Sequence, residues 1–117
     1  MNANELRART RAFALRVVKL VQALPGEMAS EVLGRQVLRS ATSVGANYRA
    51  ACRARTGPLF THKLSIVVEE ADETVYWLEL IQDTGLVEPP RMAALIDEAD
   101  QLMRIMSASL KTARHRR

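Results

Sequence analysis

The sequence predicts an all-α fold, an up-down-up-down antiparallel four-helix bundle, on three observations. Apolar residues recur at alternating steps of four and three, a spacing that keeps one helix face buried. The four prolines, each with a glycine nearby, fall into three breaks near residues 24–26, 55–58 and 85–90. The alternation with a period of two that half-buried strands show is never sustained. Four helices joined by short links favour an antiparallel bundle.

Length and composition are consistent with one helical domain. The chain has 117 residues and a mass of 13.0 kDa, which suits a single core. Hydrophobic residues make up 48%, which argues against disorder throughout, and aromatic residues make up only 4%, so the core must be aliphatic. We place the bundle at residues 1–110 and a basic tail at residues 111–117.

The first two predicted helices cover about residues 4–24 and 27–54, and Asn4 is the expected N-cap of the first. The first helix should bury Leu6, Thr10, Phe13, Val17, Leu20 and Leu24. The second should bury Leu33, Val37, Ser40, Val44, Asn47 and Ala51, with Ala41 and Tyr48 beside them. Because an unpaired buried polar group costs about 1–3 kcal/mol, Ser40 and Asn47 need hydrogen-bond partners.

The third and fourth predicted helices follow the second and third breaks. The third opens at Pro58 and ends near Gly85, where glycine can adopt the left-handed conformation that terminates a helix. Its expected buried face is Phe60, Leu64, Val67, Ala71, Thr74, Leu78 and Ile81. The fourth starts after Pro89-Pro90, and its expected buried face is Met92, Leu95, Ala99, Leu102, Met106, Ser109 and Ala113.

Charge is unevenly distributed along the chain. Residues 1–57 carry ten basic and three acidic side chains, whereas residues 58–110 carry three basic and ten acidic ones. The overall charge of +4 therefore conceals two regions of opposite sign. Such a molecule can attract a polyanion or the acidic face of another subunit.

A row of basic residues runs along the second helix, opposite its buried face. We call the following positions the arginine row: Arg35, Arg39, Thr42, Ala46, Arg49 and Arg53. The row can be a solvated surface, a phosphate-binding surface or a contact with another subunit. For nucleic-acid binding, the sequence predicts phosphate contacts at Arg35, Arg39, Arg49 and Arg53, with support from Arg9, Arg16 and Lys19. No base-reading motif accompanies the row, so such binding should be largely independent of sequence.

The third helix carries apolar residues on a face that an isolated bundle would expose. These residues and their acidic neighbours form the predicted subunit interface: Ile66, Glu69, Glu73, Tyr76, Trp77 and Leu80. Self-association is the simplest reason for this surplus of apolar surface. A basic and an acidic face on one chain also fit a head-to-tail contact, which can close into a ring.

The sequence predicts a protein without enzymatic activity, cofactor or metal. Carboxylates cluster at Glu69–Glu73, but neither histidine lies near them and no Glu-x-x-His motif occurs. Cys52 has no His or Asp placed to form a nucleophilic site, so we interpret it as a packing residue. One free cysteine and no export signal predict a cytoplasmic protein. No apolar run is long enough to span a membrane.

Several short motifs resemble those of the ribosomal RNA intervening-sequence proteins, a family of four-helix bundles. The second helix has Gln36, Arg39-Ser40, Ser43-Val44 and Asn47 in the order typical of that family. The Leu24-Pro25 ending of the first helix and the acidic run that leads to Trp77 are similar too. Where many members have a Glu-Gly pair after the Asn, this chain has Ala50-Ala51. That difference removes a negative charge beside the arginine row.

The resemblance implies a homopentameric ring with no established enzymatic activity. It also implies a relation to the accessory variability proteins of diversity-generating retroelements, which are similar pentameric bundles. Those proteins bind nucleic acid and a reverse transcriptase through a basic surface. RNA or DNA and a partner protein are therefore the expected ligands of this chain. A ring-forming scaffold or protein adaptor without nucleic acid is the alternative.

Overall fold

The computed structural model describes residues 1–116 and confirms the all-α four-helix bundle. The helices are α1 (Ala3–Ala23), α2 (Met28–Cys52), α3 (Gly57–Thr84) and α4 (Pro89–His115). Consecutive helices pack against each other, and α4 closes the bundle against α1. Within this part of the chain the backbones of the diagonal pairs stay apart, and their side chains meet only in the core. The bundle measures 47 × 21 × 20 Å. Of the predicted tail, α4 includes residues 111–115, and residue 117 lies outside the described part.

The N-cap of α1 lies two residues earlier than predicted. Asn2 rather than Asn4 is the N-cap, since its Oδ1 accepts a hydrogen bond from the Glu5 amide at 2.9 Å. Its Nδ2 also donates to Glu5 Oε1 at 2.8 Å, and this reciprocal contact selects Asn2. Asn4 lies within the first turn, where its side chain accepts from Arg7. Both asparagines have the right chemistry, but only Asn2 has a glutamate three residues later.

The ends of α3 follow the sequence prediction closely. Thr56 caps the helix, with its Oγ1 accepting from the Leu59 amide at 3.2 Å, and Pro58 lies in the first turn. Gly85 ends the helix with φ of 74°, a left-handed conformation that costs glycine little. Thr56 and Pro58 therefore set the start of α3, and Gly85 sets its end.

The centre of the core is built around Phe13, which is 1% exposed. The ring shares a tightly packed region with Ala71 of α3 and Ala99 of α4, and no water-sized space remains there. Val44, Thr74 and Leu102 complete the region, so all four helices meet at this level. The two alanines provide the volume that the ring fills.

The buried face of α2 differs from the predicted one at four positions, one of which is Ser30, a buried residue that was not predicted. Leu33 and Asn47 are half-buried, whereas Gly34 is buried. A Cβ atom at Gly34 would lie 3.3 Å from Val21 Cγ1, so the absent side chain allows α1 to approach α2 closely. This close approach brings Gly34 into the interface in place of Leu33.

Smaller differences occur where α3 and α4 meet near the C-terminus. Thr61 is buried and Phe60 half-buried, and Leu110 is buried while Ser109 and Ala113 are half-buried. These helices extend beyond the N-terminus of α1 at this end. Because fewer helices surround α3 and α4 at this end, the periodic pattern does not identify correctly which of their residues are buried.

The polar residues predicted to need partners on α2 have them. Ser40 Oγ and Thr74 Oγ1 lie 2.9 Å apart across the α2–α3 interface, and both residues are fully buried. The Thr74 hydroxyl also lies 2.7 Å from the Glu70 carbonyl oxygen. Asn47 Nδ2 donates to the Ser43 carbonyl of its own helix at 2.9 Å. The buried hydroxyls of Ser40 and Thr74 therefore carry no unpaired-group penalty.

Candidate nucleic-acid interface

The arginine row of α2 faces solvent along its whole length. All six of its positions are exposed. At 1.5 Å per residue, the row extends roughly 27 Å from Arg35 to Arg53. Within the described residues, no carboxylate lies within 4.0 Å of the guanidinium groups of Arg35, Arg49 or Arg53. These three arginines are available to an external anion.

Arg39, by contrast, is bound to α3. Its guanidinium contacts Glu70 at 3.1 Å and also forms an ion pair with Glu73. Glu73 in turn accepts a hydrogen bond from Trp77 Nε1 at 3.1 Å. That bond, together with Arg39, holds the pKa of Glu73 below its usual range. Arg39 would have to leave two carboxylates before it could contact a phosphate.

Arg9 is likewise engaged within the bundle. It donates to both carboxylate oxygens of Glu98, at 2.8 and 2.7 Å, and to Gln101 at 2.8 Å. These bonds hold the pKa of Glu98 below its usual range, although burial acts in the opposite direction. The bidentate pair joins α1 to α4.

Arg16 and Lys19 lie on the side of α1 that faces α4. Arg16 and Lys19 are both exposed, and together with Arg91 they line a shallow groove of about 320 Å³. The structure thus places the predicted supporting residues away from the arginine row. A strand that contacted both sites would have to cross the outer face of α1.

Two basic residues missing from the predicted site lie beside the row. Arg7 and Arg11 of α1 line the same groove as Arg49 of α2. They are next to Leu6 and Thr10 of the buried face, so the sequence places them at its edge. That edge can face either of the two helices next to α1, depending on the handedness of the bundle. The periodicity of the sequence does not determine this handedness.

The predicted subunit interface lies on the α2-facing and outer sides of α3. Tyr76 is 55% exposed, and its ring meets Trp77 edge-on with centroids 5.0 Å apart. Glu69 is exposed, while Ile66, Trp77 and Leu80 are half-buried. Glu73 is occupied by the contacts with Arg39 and Trp77. The exposed phenol ring of Tyr76 is the main apolar feature of this surface.

Opposite charges are concentrated at the two ends of the bundle. One end consists of residues 1–8, 49–63 and 107–116, and Glu5 is its one carboxylate within the described chain. Its basic side chains are Arg7, Arg49, Arg53, Arg55, Lys63, Lys111, Arg114 and Arg116. The other end, residues 19–34 and 78–91, has five carboxylates against Lys19 and Arg91. The uneven charge of the sequence thus becomes a charge difference along the long axis.

Two further features of the described chain bear on function. Its residues include no group of three or more His, Cys, Asp or Glu side chains that could hold a metal ion. None of the four helices, as far as they are described, has an apolar stretch long enough to cross a membrane.

The geometry defines a class of protein, an all-α four-helix bundle. Comparison with known proteins is more specific. The model of the family described as 23S rRNA-intervening sequence protein matches residues 3–108. The chain belongs to this family.

A solved structure supports the same relationship. It is a crystal structure of a protein with unknown function from the S23 ribosomal protein family of Bacteroides thetaiotaomicron. The two chains are 33% identical with a TM-score of 0.87, over 95% of this chain and 99% of the other. No curated protein matches this chain.

Proposed function

We propose that this protein is a non-catalytic bundle that binds the phosphate backbone of RNA or DNA through the arginine row. One observation carries the proposal: Arg35, Arg49 and Arg53 share one exposed helix face and have no carboxylate partner in the described chain. Arginine is well suited to this role because its planar fork matches phosphate oxygens. The basic end of the bundle adds a field that attracts a polyanion.

The positions of the aromatic side chains support backbone contacts rather than base recognition. Stacking on bases requires exposed aromatic rings. Phe13 and Tyr48 are the aromatic residues of α1 and α2, and both are buried. Burial, with a smaller contribution from Cys52, raises the pKa of Tyr48 to about 12, so its phenol stays neutral within the fold. With no ring exposed on either helix, the bound strand is held by its phosphates.

Arginine substitutions on two sides of the bundle test this function. The double variant Arg35→Gln/Arg53→Gln removes two row charges. We expect it to weaken binding of fluorescent single-stranded RNA or DNA and to reduce the salt slope by roughly 1.4 units, for two lost phosphate contacts. Fluorescence anisotropy at several salt concentrations measures both quantities.

The matched control is Arg104→Gln/Arg114→Gln, which changes the net charge equally on α4. That helix lies diagonally across the bundle from α2, and the exposed side chains of Arg104 and Arg114 are outside the arginine row. The control should lose far less affinity than the row variant. Equal losses in the two variants would mean that net charge, and not the row, governs binding.

A homopentameric ring is the second part of the proposal, favoured by the exposure of Tyr76 beside Trp77. Large apolar surfaces on a bundle of this size are typical of subunit contacts. The resemblance to retroelement accessory proteins supports a further role beside a nucleic-acid enzyme such as a reverse transcriptase. In the alternative function, a scaffold or adaptor without nucleic acid, the row itself forms subunit contacts. Row substitutions would then dissociate the oligomer.

A further inference from the structure

A groove between α1 and α2 is the most distinctive concave feature beside the arginine row. It has a volume of about 380 Å³, within the range of sites that hold small ligands. Three arginines surround it: Arg7 and Arg11 from α1, and Arg49 from α2.

Small residues keep the groove open and give it a closed floor. Gly45 packs directly on α1, where a Cβ atom would lie 3.4 Å from Thr10 Oγ1. Ala8, Ala14 and Ala46 form much of the remaining lining, so no long side chain fills the space between the arginines. The two helices therefore provide a shallow, preformed recess with a basic rim.

The charges around the recess are uncompensated. No carboxylate of residues 1–116 lies within 4.0 Å of the guanidinium nitrogens of Arg7, Arg11 or Arg49. The side chain of Asn4 contacts Arg7, but it is neutral. By contrast, Arg9 of α1 and Arg39 of the arginine row each have a glutamate partner. Three like charges around one recess repel each other, and an anion between them would relieve that repulsion.

The chemistry of the lining indicates the kind of anion. Arginine forks favour phosphate or carboxylate oxygens, and the volume exceeds what a bare phosphate ion requires. No aromatic ring lines the recess, so nothing there would hold a base by stacking. We infer that the groove is the binding site of one phosphodiester unit of the bound strand, with its phosphate among Arg7, Arg11 and Arg49. This inference rests on the proposed function and gives the backbone a defined position beside Thr42, Ala46 and Arg49, within the arginine row.

Filling the groove without changing any charge tests this inference. Ala46→Leu places an isobutyl group in the recess, and Ala46 is exposed, so the substitution leaves the core intact. Ala12→Leu is the matched control, since Ala12 is exposed on α1 outside the groove. We expect Ala46→Leu to weaken binding of a 5′-hydroxyl RNA oligonucleotide by about tenfold, as for one lost charge-assisted hydrogen bond. Ala12→Leu should have no effect. Melting curves verify that both variants fold.

Two further measurements give the inference independent support. Arg11→Gln removes a rim charge from an exposed residue, and we expect a loss of about tenfold that exceeds the loss for Arg104→Gln. The same RNA with a 5′-phosphate should bind no more tightly than the 5′-hydroxyl form, since the groove binds an internal phosphodiester. A clear preference for the 5′-phosphate would overturn that assignment in favour of a terminal phosphate.

The groove and the proposed function fail in different ways. If the wild-type protein binds RNA but Ala46→Leu and Arg11→Gln behave like their controls, the groove does not bind the phosphodiester. The arginine row would then remain the proposed RNA interface. If the wild-type protein binds no strand even at low salt, the proposed function itself is wrong.

Discussion

Replacing Phe13 with alanine is expected to lower the free energy of unfolding by about 3–5 kcal/mol. The ring is the largest side chain at the level where all four helices meet, and it packs against Ala71 and Ala99. The methyl side chains of those alanines are too short to fill the space left by the ring, so a cavity would remain. Because domains of this size are stable by only about 5–15 kcal/mol, the variant should unfold readily. Urea denaturation followed by circular dichroism measures the change.

Phe13→Leu is the graded control for this prediction. Leucine retains much of the buried apolar volume, so the loss should be clearly smaller than for alanine. Similar losses for the two variants would argue against a tightly packed centre. A loss below about 1 kcal/mol for Phe13→Ala would contradict the packing described here.

The second large effect is expected on assembly, from Tyr76→Glu. Tyr76 is 55% exposed on the predicted subunit interface, so the fold of a single chain does not depend on it. A carboxylate buried without a partner at an interface is strongly unfavourable, and acidic Glu69 and Glu73 lie close by in sequence. We expect light scattering to show an oligomer, near five subunits, for the wild-type chain and a shift towards 13.0 kDa for the variant.

Leu15→Glu controls for the general effect of adding a surface carboxylate. Leu15 is 52% exposed on α1, outside the predicted interface, and should tolerate the change without loss of the oligomer. If Tyr76→Glu assembles as the wild-type protein does, α3 is not the subunit interface. A monomeric wild-type chain would end the ring proposal altogether.

The sequence predicted the fold well because the helix limits depend on local chemistry. Thr56 and Pro58 set the start of α3 and Gly85 sets its end, and the four-three spacing identifies most of the core. The exceptions required tertiary information. Gly34 is buried because α1 approaches it, and Leu110 is buried instead of Ser109 because the bundle is incomplete at that end.

The candidate site was predictable only in part. The exposure of the arginine row follows from its position opposite the buried face of α2. The row does not reveal which charges are already neutralised, since the partners of Arg39 lie about 30 residues away on α3 and the partner of Arg9 lies on α4. The proximity of Arg7 and Arg11 to Arg49 likewise depends on which helices are neighbours. Periodicity assigns a residue to a face of its own helix and gives no contacts between helices.

The salt dependence of wild-type binding to single-stranded RNA tests the central claim most directly. If Arg35, Arg49 and Arg53 each contact a phosphate, the logarithm of the affinity should fall with the logarithm of salt concentration with a slope of about −2 or steeper. The steepness reports the number of phosphate contacts and needs no assumption about sequence. An affinity that does not change with salt, or no binding at low salt, would contradict the account. The arginine row would then be assigned to subunit contacts.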